Sequence, residues 1–424
     1  MMSFTKAALA TALSLGAVAT VTAAPAFAQK KGEAQAEAKP LKLSPAVRKP
    51  AAELEAALTA GDMATAEAKA AEVEAAAKSD DEKYYAGVQR LQIAAKKNDM
   101  VAVGNAVSSL ISNPRTPQAD LGKYHYFRGT GYLAAKNYQG AVADFQKAQQ
   151  LGYSDPNADL RLRIVQAQMD GGDVAAGLQS LRQAIAAEKA AGRKAPEDWY
   201  KFGRARAYKA NMKDQTVALS KEYLSDYPTA ENWRTTLALF RDAQGAQAMP
   251  RAQKIDLFRL MRATKSLADL NDYYEYAELT FRAGLPAEAK AVIDEGRASG
   301  KIPTSHSGVN ALYTEVQQAI RNESPMATLE TRSKAAADGK LAAGTADALL
   351  GAGNYAKAAE LYQLALSKGG VNTADVNTHL GIALAMAGQT EPARTAFQNV
   401  NTAPQNEIAD FWTFYLSQRG GTAA

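Results

Sequence analysis

The 424-residue chain contains no cysteine. That excludes disulfides, thiol nucleophiles, redox dithiol pairs and a lipid attached at a lipoprotein cysteine. Histidine is nearly as scarce: His125, His306 and His379 are far apart and lack the i, i+4 or HExxH spacing of a zinc site. No G-x-S-x-G elbow and no P-loop occurs. Gly351 to Ala356 has the outline G-x-G-x-x-A, but a dinucleotide loop must follow a strand, and Ala342 to Leu350 is helical by pattern, so this is an inter-helix turn. Strands of alternating apolar and polar residues are missing as well. No apolar run reaches the roughly 20 residues of a membrane span. The adjacent carboxylates of Asp80, Asp81 and Glu82 fall where a helix would start and suit its dipole rather than acid–base work. These absences point away from an enzyme, and toward no cofactor and no resident metal.

What the chain does have is a recurring turn. It falls at Gly61-Asp62, Asn98-Asp99, Lys136-Asn137, Gly172-Asp173, Ala210-Asn211, Gly284-Leu285, Gly353-Asn354 and Gly388-Gln389. Counted on the second residue, the steps are 37, 38, 36, 38, 74, 69 and 35. The two long steps are about twice the others, as if a worn repeat lay inside each. A period in this range marks a stack of supersecondary units, none of which buries its apolar face alone. A non-repetitive helical bundle has no reason to keep such a period.

Local chemistry agrees. Gly at the end of a first helix tolerates the left-handed conformation, and Asp or Asn just after it can cap a second helix. In 141–148, Ala141, Phe145 and Ala148 share one face at helical spacing, and the alanine-rich composition favours helix. The expected fold is all-α.

The lettering around these turns resembles the tetratricopeptide repeat (TPR). Gly129 and Tyr132 on a first helix, then Ala141, Phe145 and Ala148 on a second, stand at its spacing of small and large residues. The same frame fits Ala346, Leu349, Ala358, Tyr362 and Ala365, and again Gly381, Leu384, Ala393, Phe397 and Val400. Partial fits cover Trp199, Phe202 and Gly203, and Tyr276, Ala277, Ala289, Ile293 and Gly296. Units near 51–113, 229–265 and 305–337 depart from the pattern and read as plain helical hairpins. The resemblance implies a right-handed α-solenoid over residues 50–418, with each repeat touching only its neighbours. It also implies that first helices line a concave wall. The non-packing positions of that wall are then Tyr126 and Thr130; Leu162 and Gln166; Tyr200, Arg204 and Tyr208; Arg234 and Arg241; and Tyr274, Glu278 and Phe281. Of these, Tyr126, Tyr200, Arg204, Tyr208, Arg234, Arg241 and Tyr274 are the expected partner contacts, since Tyr and Arg dominate interface energetics. The family's carboxylate clamp of two lysines and an asparagine is not reproduced in order.

Residues 1–28 read as a secretory signal peptide. Lys6 precedes an apolar run from about Ala7 to Val21, and Ala26-Phe27-Ala28 sets cleavage after Ala28, which places the mature chain in a bacterial periplasm. Residues 29–49 read as a disordered linker, and 419–424 as a flexible tail. Charge is uneven: residues 100–265 hold 24 Lys and Arg against 15 Asp and Glu, whereas 266–424 hold 12 against 17. The basic half suits an anionic partner, although solvated outer faces would look the same. Nucleic acid is excluded as a partner by export and by the lack of a recognition motif. The first functional reading is a non-enzymatic adaptor that binds envelope proteins or peptide segments. The alternative is a soluble binder of anionic polysaccharide or peptidoglycan.

Overall fold

The computed structural model describes residues 40–156, 158–244 and 249–420. Residues 1–39, with the expected signal peptide and most of the expected linker, lie outside them, as do 421–424 of the expected tail. Twenty-one helices occur among the described residues, and the only β element there is an isolated bridge between Asp155 and Ala158. Twenty of the helices follow one another in ten pairs, each pair joined by a short connection: α1 (Pro45–Ala60) and α2 (Met63–Ala76), α3 (Asp80–Lys96) and α4 (Met100–Ile111), α5 (Gln118–Ala134) and α6 (Tyr138–Gln150), α7 (Leu160–Asp170) and α8 (Val174–Ala190), α9 (Glu197–Lys209) and α10 (Lys213–Asp226). Then come α11 (Ala230–Ala243) and α12 (Arg251–Ala263), α13 (Leu270–Arg282) and α14 (Pro286–Ala298), α15 (Ser307–Asn322) and α16 (Met326–Ala335), α17 (Lys340–Gly351) and α18 (Tyr355–Lys368), α19 (Thr373–Met386) and α20 (Thr390–Gln398). A single helix, α21 (Gln405–Gly420), follows. The chain divides into two compact units, residues up to 206 and residues from 207.

The turns work by one device. At Gly61, Asn98, Lys136, Gly172, Asn211, Gly284, Gly353 and Gly388 the backbone takes a positive φ that ends the first helix. The next residue opens the second. Asp62, Asp99, Asn137 and Asp173 each accept a backbone N–H three residues on, at 2.9–3.1 Å. Such caps are worth about 1 kcal/mol each. One turn sits a residue later than its period suggests: the positive φ is at Asn211, and Met212 begins α10 with no side-chain cap. Inside the two long steps lie α11–α12 and α15–α16, the worn hairpins. The second of these turns through Glu323 and Pro325 in extended conformations, without the left-handed residue that marks the eight turns above.

In the first unit each helix packs on the next, from α1 to α8. Its best-formed hairpin shows why the spacing matters. A Cβ on Gly129 would stand 2.7 Å from the ring of Phe145, so the missing side chain is what admits that ring. Ala141, Phe145 and Ala148 are fully buried behind it. Across the step to the neighbouring hairpin, Gly104 and Gly131 pack backbone to backbone; a Cβ on Gly131 would lie 2.7 Å from the Gly104 Cα. Helices meet this closely only where side chains are absent.

Residues 40–49 are not a linker. Val47 is buried in α1, and Leu41 and Leu43 pack against the same apolar cluster. The Ser44 N–H donates to Glu82 Oε1 at 2.9 Å and the Lys42 N–H to Asp81 at 2.8 Å. Lysine and proline dilute the apolar residues here, so composition alone hides a segment that docks on α3. At the other end, α21 continues through Arg419, whose guanidinium lies over the Tyr415 ring at 5.6 Å, so residues 419 and 420, expected as tail, are the end of that helix.

The second unit departs from the nearest-neighbour expectation. Helix α21 carries Ile408, Phe411, Trp412 and Leu416 into the core. Phe411 meets Phe240 of α11 edge-on at 5.2 Å. Gln418 accepts from the Trp233 indole at 3.3 Å and donates to the Leu224 carbonyl at 2.9 Å, and the Tyr415 hydroxyl donates to the Ala263 carbonyl at 3.1 Å. These partners are 152–194 residues away in sequence. The last helix thus closes the unit onto its first hairpins.

Ala141→Leu should cost about 1–3 kcal/mol by overpacking, while Gln139→Leu at an exposed position in the first turn of α6 is nearly silent. Gly344→Ala is expected to stabilise by roughly 0.5–1 kcal/mol, because a Cβ there meets nothing within 4 Å and the residue is helical. Urea midpoints measured side by side check all three, and equal losses at positions 141 and 139 would show the hairpin frame to be misplaced.

Candidate interaction surface and a buried ion network

The structure divides the residues expected on the partner wall. Tyr126 and Tyr200 are 5% and 0% exposed, so neither presents a surface, and both expectations are corrected. Tyr126 lies between Phe145 (5.8 Å) and Tyr153 (5.1 Å), because the segment after α6 folds over α5. Burial pushes its phenol up to about 12. Large aromatics on a first helix are covered wherever a following loop returns across them, a long-range event that repeat spacing does not encode. Thr130, Leu162, Gln166, Arg204, Tyr274, Glu278 and Phe281 are half-buried. Tyr274 stands 6.2 Å from the His306 ring.

The remainder share a pattern. Tyr208 on α9 is 57% exposed, and its hydroxyl is 3.4 Å from Asp242 on α11. Arg241 on α11 pairs with Glu275 on α13 at 3.3 Å. Arg234, also on α11, pairs with Asp272 at 3.0 Å and Asp269 at 2.9 Å. The partners are 34–38 residues apart, one repeat step, so each contact joins one first helix to the next. Arg234 and Arg241 are therefore partly neutralised, and the basic balance of the sequence does not open as a free cationic face at these positions. Exposed pairs of this kind contribute about 0–1 kcal/mol each.

A second constellation was not foreseen. On α12, Asp256 and Arg259 are buried. Arg259 Nη1 bonds Asp256 at 2.9 Å, while its Nε and Nη2 clasp Glu288 of α14 at 2.9 and 2.8 Å. The Tyr276 hydroxyl donates to Glu288 at 2.6 Å. His379 of α19 reaches Asp347 of α17 through Nδ1 at 2.8 Å and Asp256 through Nε2 at 3.3 Å, and the Tyr362 hydroxyl donates to Asp347 at 2.6 Å. Burial alone would lower the His379 pKa, but Asp256 and Asp347 outweigh it and raise it to about 10, so the imidazolium is the resting form. Burial opposes ionisation of Asp347, yet His379 and the Tyr362 hydroxyl hold its carboxyl below the usual range. With His379 already doubly engaged as a cation, it is no general base at neutral pH. One local signal existed: Asp256 and Arg259 interrupt the otherwise apolar run Ile255 to Met261, which is where a buried charge pair announces itself.

The first unit uses smaller versions. Asp144, buried on α6, accepts from Arg128 at 2.6 and 2.8 Å and lies 2.7 Å from His125 Nδ1, both on α5. Glu188 of α8 is gripped by Arg193 and by Arg161 of α7, which hold its carboxyl down at about 2. Among the described residues no group of three or more His, Asp or Glu is arranged to hold a metal ion, and no helix there is long and apolar enough to cross a membrane.

No family model matches the chain, and no curated protein matches it. Similar solved structures include a tetratricopeptide repeat protein from Parabacteroides merdae, with 13% identity and a TM-score of 0.26 over 71% of this chain and 100% of that one. The TPR2AB domain of yeast Sti1 in its pHSP90 complex gives 13% and 0.25 over 70% and 99%. The TPR domain of P58(IPK) gives 14% and 0.23 over 88% and 99%. TM-scores this low carry no argument by themselves. The TPR-like reading rests on the turns, caps and interlocking residues of the hairpins described above.

His379→Gln should destabilise by up to about 3 kcal/mol, since it takes the cation from half-buried Asp347 and leaves buried Asp256 with Arg259 alone. The raised pKa also has a sign. Stability from His379 is complete below its ordinary value of 6.5 and is lost as pH climbs toward 10. Urea midpoints of the parent chain should therefore fall between pH 7 and 10 more steeply than those of His379→Gln. Parallel slopes would remove the imidazolium from the network.

Proposed function

We propose that this chain is a non-enzymatic adaptor of the bacterial cell envelope, which binds a peptide segment of another protein along adjacent first helices. The observation that carries this reading is the ladder from Tyr208 through Asp242 and Arg241 to Glu275, presented on α9, α11 and α13 at one repeat step per rung. Tyr208 offers an exposed ring, and the half-exposed ion pairs beside it offer donors and acceptors in alternation. An extended segment carries the same alternation of N–H and C=O along its backbone, so it can exchange with these pairs without stranding a charge. Tyr and Arg are also the side chains around which interface energy concentrates. The pairing of Arg234 and Arg241 favours this partner over an anionic polysaccharide, which would require unpaired cations in a row. The envelope location rests on residues 1–28, with their single early Lys6, apolar run and Ala26-Phe27-Ala28.

A photocrosslinking residue at position 208 should capture a defined envelope protein from intact cells, and the same residue at the exposed Gln363 of α18 should not. With that protein in hand, Tyr208→Ala combined with Arg241→Glu should weaken binding by about tenfold or more. The mature N-terminus read by mass spectrometry should be Gln29. Identical captures at 208 and 363, or co-sedimentation with purified peptidoglycan and no protein captured at all, would overturn the adaptor reading.

A further inference from the structure

The three histidines are held in different ways. His125 lies 2.7 Å from Asp144 and His379 is clasped by Asp256 and Asp347, whereas His306 forms no ion pair among the described residues. It is the N-cap of α15 instead. The Val309 backbone N–H donates to His306 Nδ1 at 3.1 Å, so Nδ1 carries no proton while that bond exists and the ring's one N–H is on Nε2. Asp62, Asp99, Asn137 and Asp173 cap their helices with oxygens, which stay acceptors in mild acid. A proton on Nδ1 turns this one acceptor into a donor facing another donor.

The surroundings leave nothing to replace the cap. The first turn of α15 begins with Ser307 and Gly308 and contains no acidic residue, so it has neither strong helix formers nor a carboxylate at the positive end of the helix. An imidazolium placed there is repelled by the same dipole. Against the ring, α13 brings Tyr274, at 6.2 Å, and the Glu278–Arg282 pair, closed on itself at 2.7 Å. From α14 comes Arg297, a further cation, which donates to Asn310 at 2.8 Å. Lys301 before the helix and Glu315, more than two turns along it, are both exposed. The cap also fastens the preceding connection: Asn310 Nδ2 donates to the Thr304 carbonyl at 2.9 Å, and the His306 N–H to the Pro303 carbonyl at 3.1 Å. Ile302 and Val309 are buried on either side, which confines any loosening to residues 303–308.

We propose that His306 is an acid-operated latch on α15. Histidines change charge between about pH 5 and pH 8. Above that range the neutral ring holds the first turn. As pH falls through it, a proton on Nδ1 breaks the bond to Val309, residues 303–308 loosen, and the ring leaves Tyr274. The sense is opposite to that of His379, whose cation is lost as pH rises. The latch belongs to this chain alone, so its failure would leave the partner reading untouched, and the reverse.

Val309 is the third residue of α15, where the amide has no acceptor within the helix, so its protection from solvent rests on His306. The test uses the full chain with isotope-labelled valine and reads hydrogen exchange of the Val309 amide, assigned by its loss in Val309→Ile, at about pH 7.5 and about pH 5.5. Expected is about a tenfold loss of protection at the lower pH, after correction for intrinsic exchange, with Val316 two turns on unchanged. His306→Asn supplies a cap that does not titrate, and protection should then be high at both pH values. His306→Ala should be low at both. Protection independent of pH in the parent chain would overturn the latch. So would the same acid loss in His306→Asn, which would move the effect to another group, or an equal loss at Val316, which would make it general acid unfolding.

Discussion

The fit of one ring into one missing side chain governs this fold. Phe145 sits where a Cβ on Gly129 would stand, and Phe397 comes closer still to Gly381, 2.4 Å from the position of a Cβ. Because the ring fills the space, the two helices of a hairpin approach closely enough to bury the alanines beside it, and the next hairpin meets a surface of fixed shape. Protein interiors are packed near crystal density, so a gap or an extra methyl at this point moves whole helices rather than single atoms. In most hairpins a left-handed turn then sets where the second helix begins, and the same interlock recurs in α19–α20. Where it has worn away, in α15–α16, α17 packs on α14 instead, and Glu288 fills the contact against Gly351.

The second unit adds polar constraints to this apolar one. Arg259 and His379 hold three carboxylates from three different helices, so α12, α14, α17 and α19 share one electrostatic knot. Removing one member of such a group is costly because the others remain buried and charged. The knot also makes Asp256 and Asp347 poor candidates for chemistry: their negative charge is already committed to a cation that persists at neutral pH.

Much of this was readable in advance. The turn at Gly353-Asn354, the buried triad Ala141, Phe145 and Ala148, and both worn hairpins inside the long steps follow from local spacing, since caps, left-handed residues and helical faces are decided within a few residues. What was not readable depends on distant return of the chain. Tyr126 became core because Tyr153 comes back over it. Arg234 and Arg241 lost their free charge to acids a full repeat away. Val47 was hidden by lysine and proline neighbours. Most of all, no repeat spacing marks Phe411 and Trp412, whose contacts with α11 and α20 lie in no periodicity.

That last helix changes the order of events as well as the shape of the core. In a stack joined only by neighbours, each hairpin can settle as soon as the one before it exists, and stability accumulates step by step. Here Trp233, Phe240 and the carbonyl of Leu224 wait for residues 405–420 before their contacts exist. A chain made from its N-terminus therefore carries α10 to α12 with an uncovered aromatic face for the whole time that the intervening hairpins are being made. Such a face is what chaperones recognise in an unfinished chain. Completion of the second unit is then a single concerted event tied to α21, and a chain that lost this helix would be marked as unfinished however well its ten hairpins had formed.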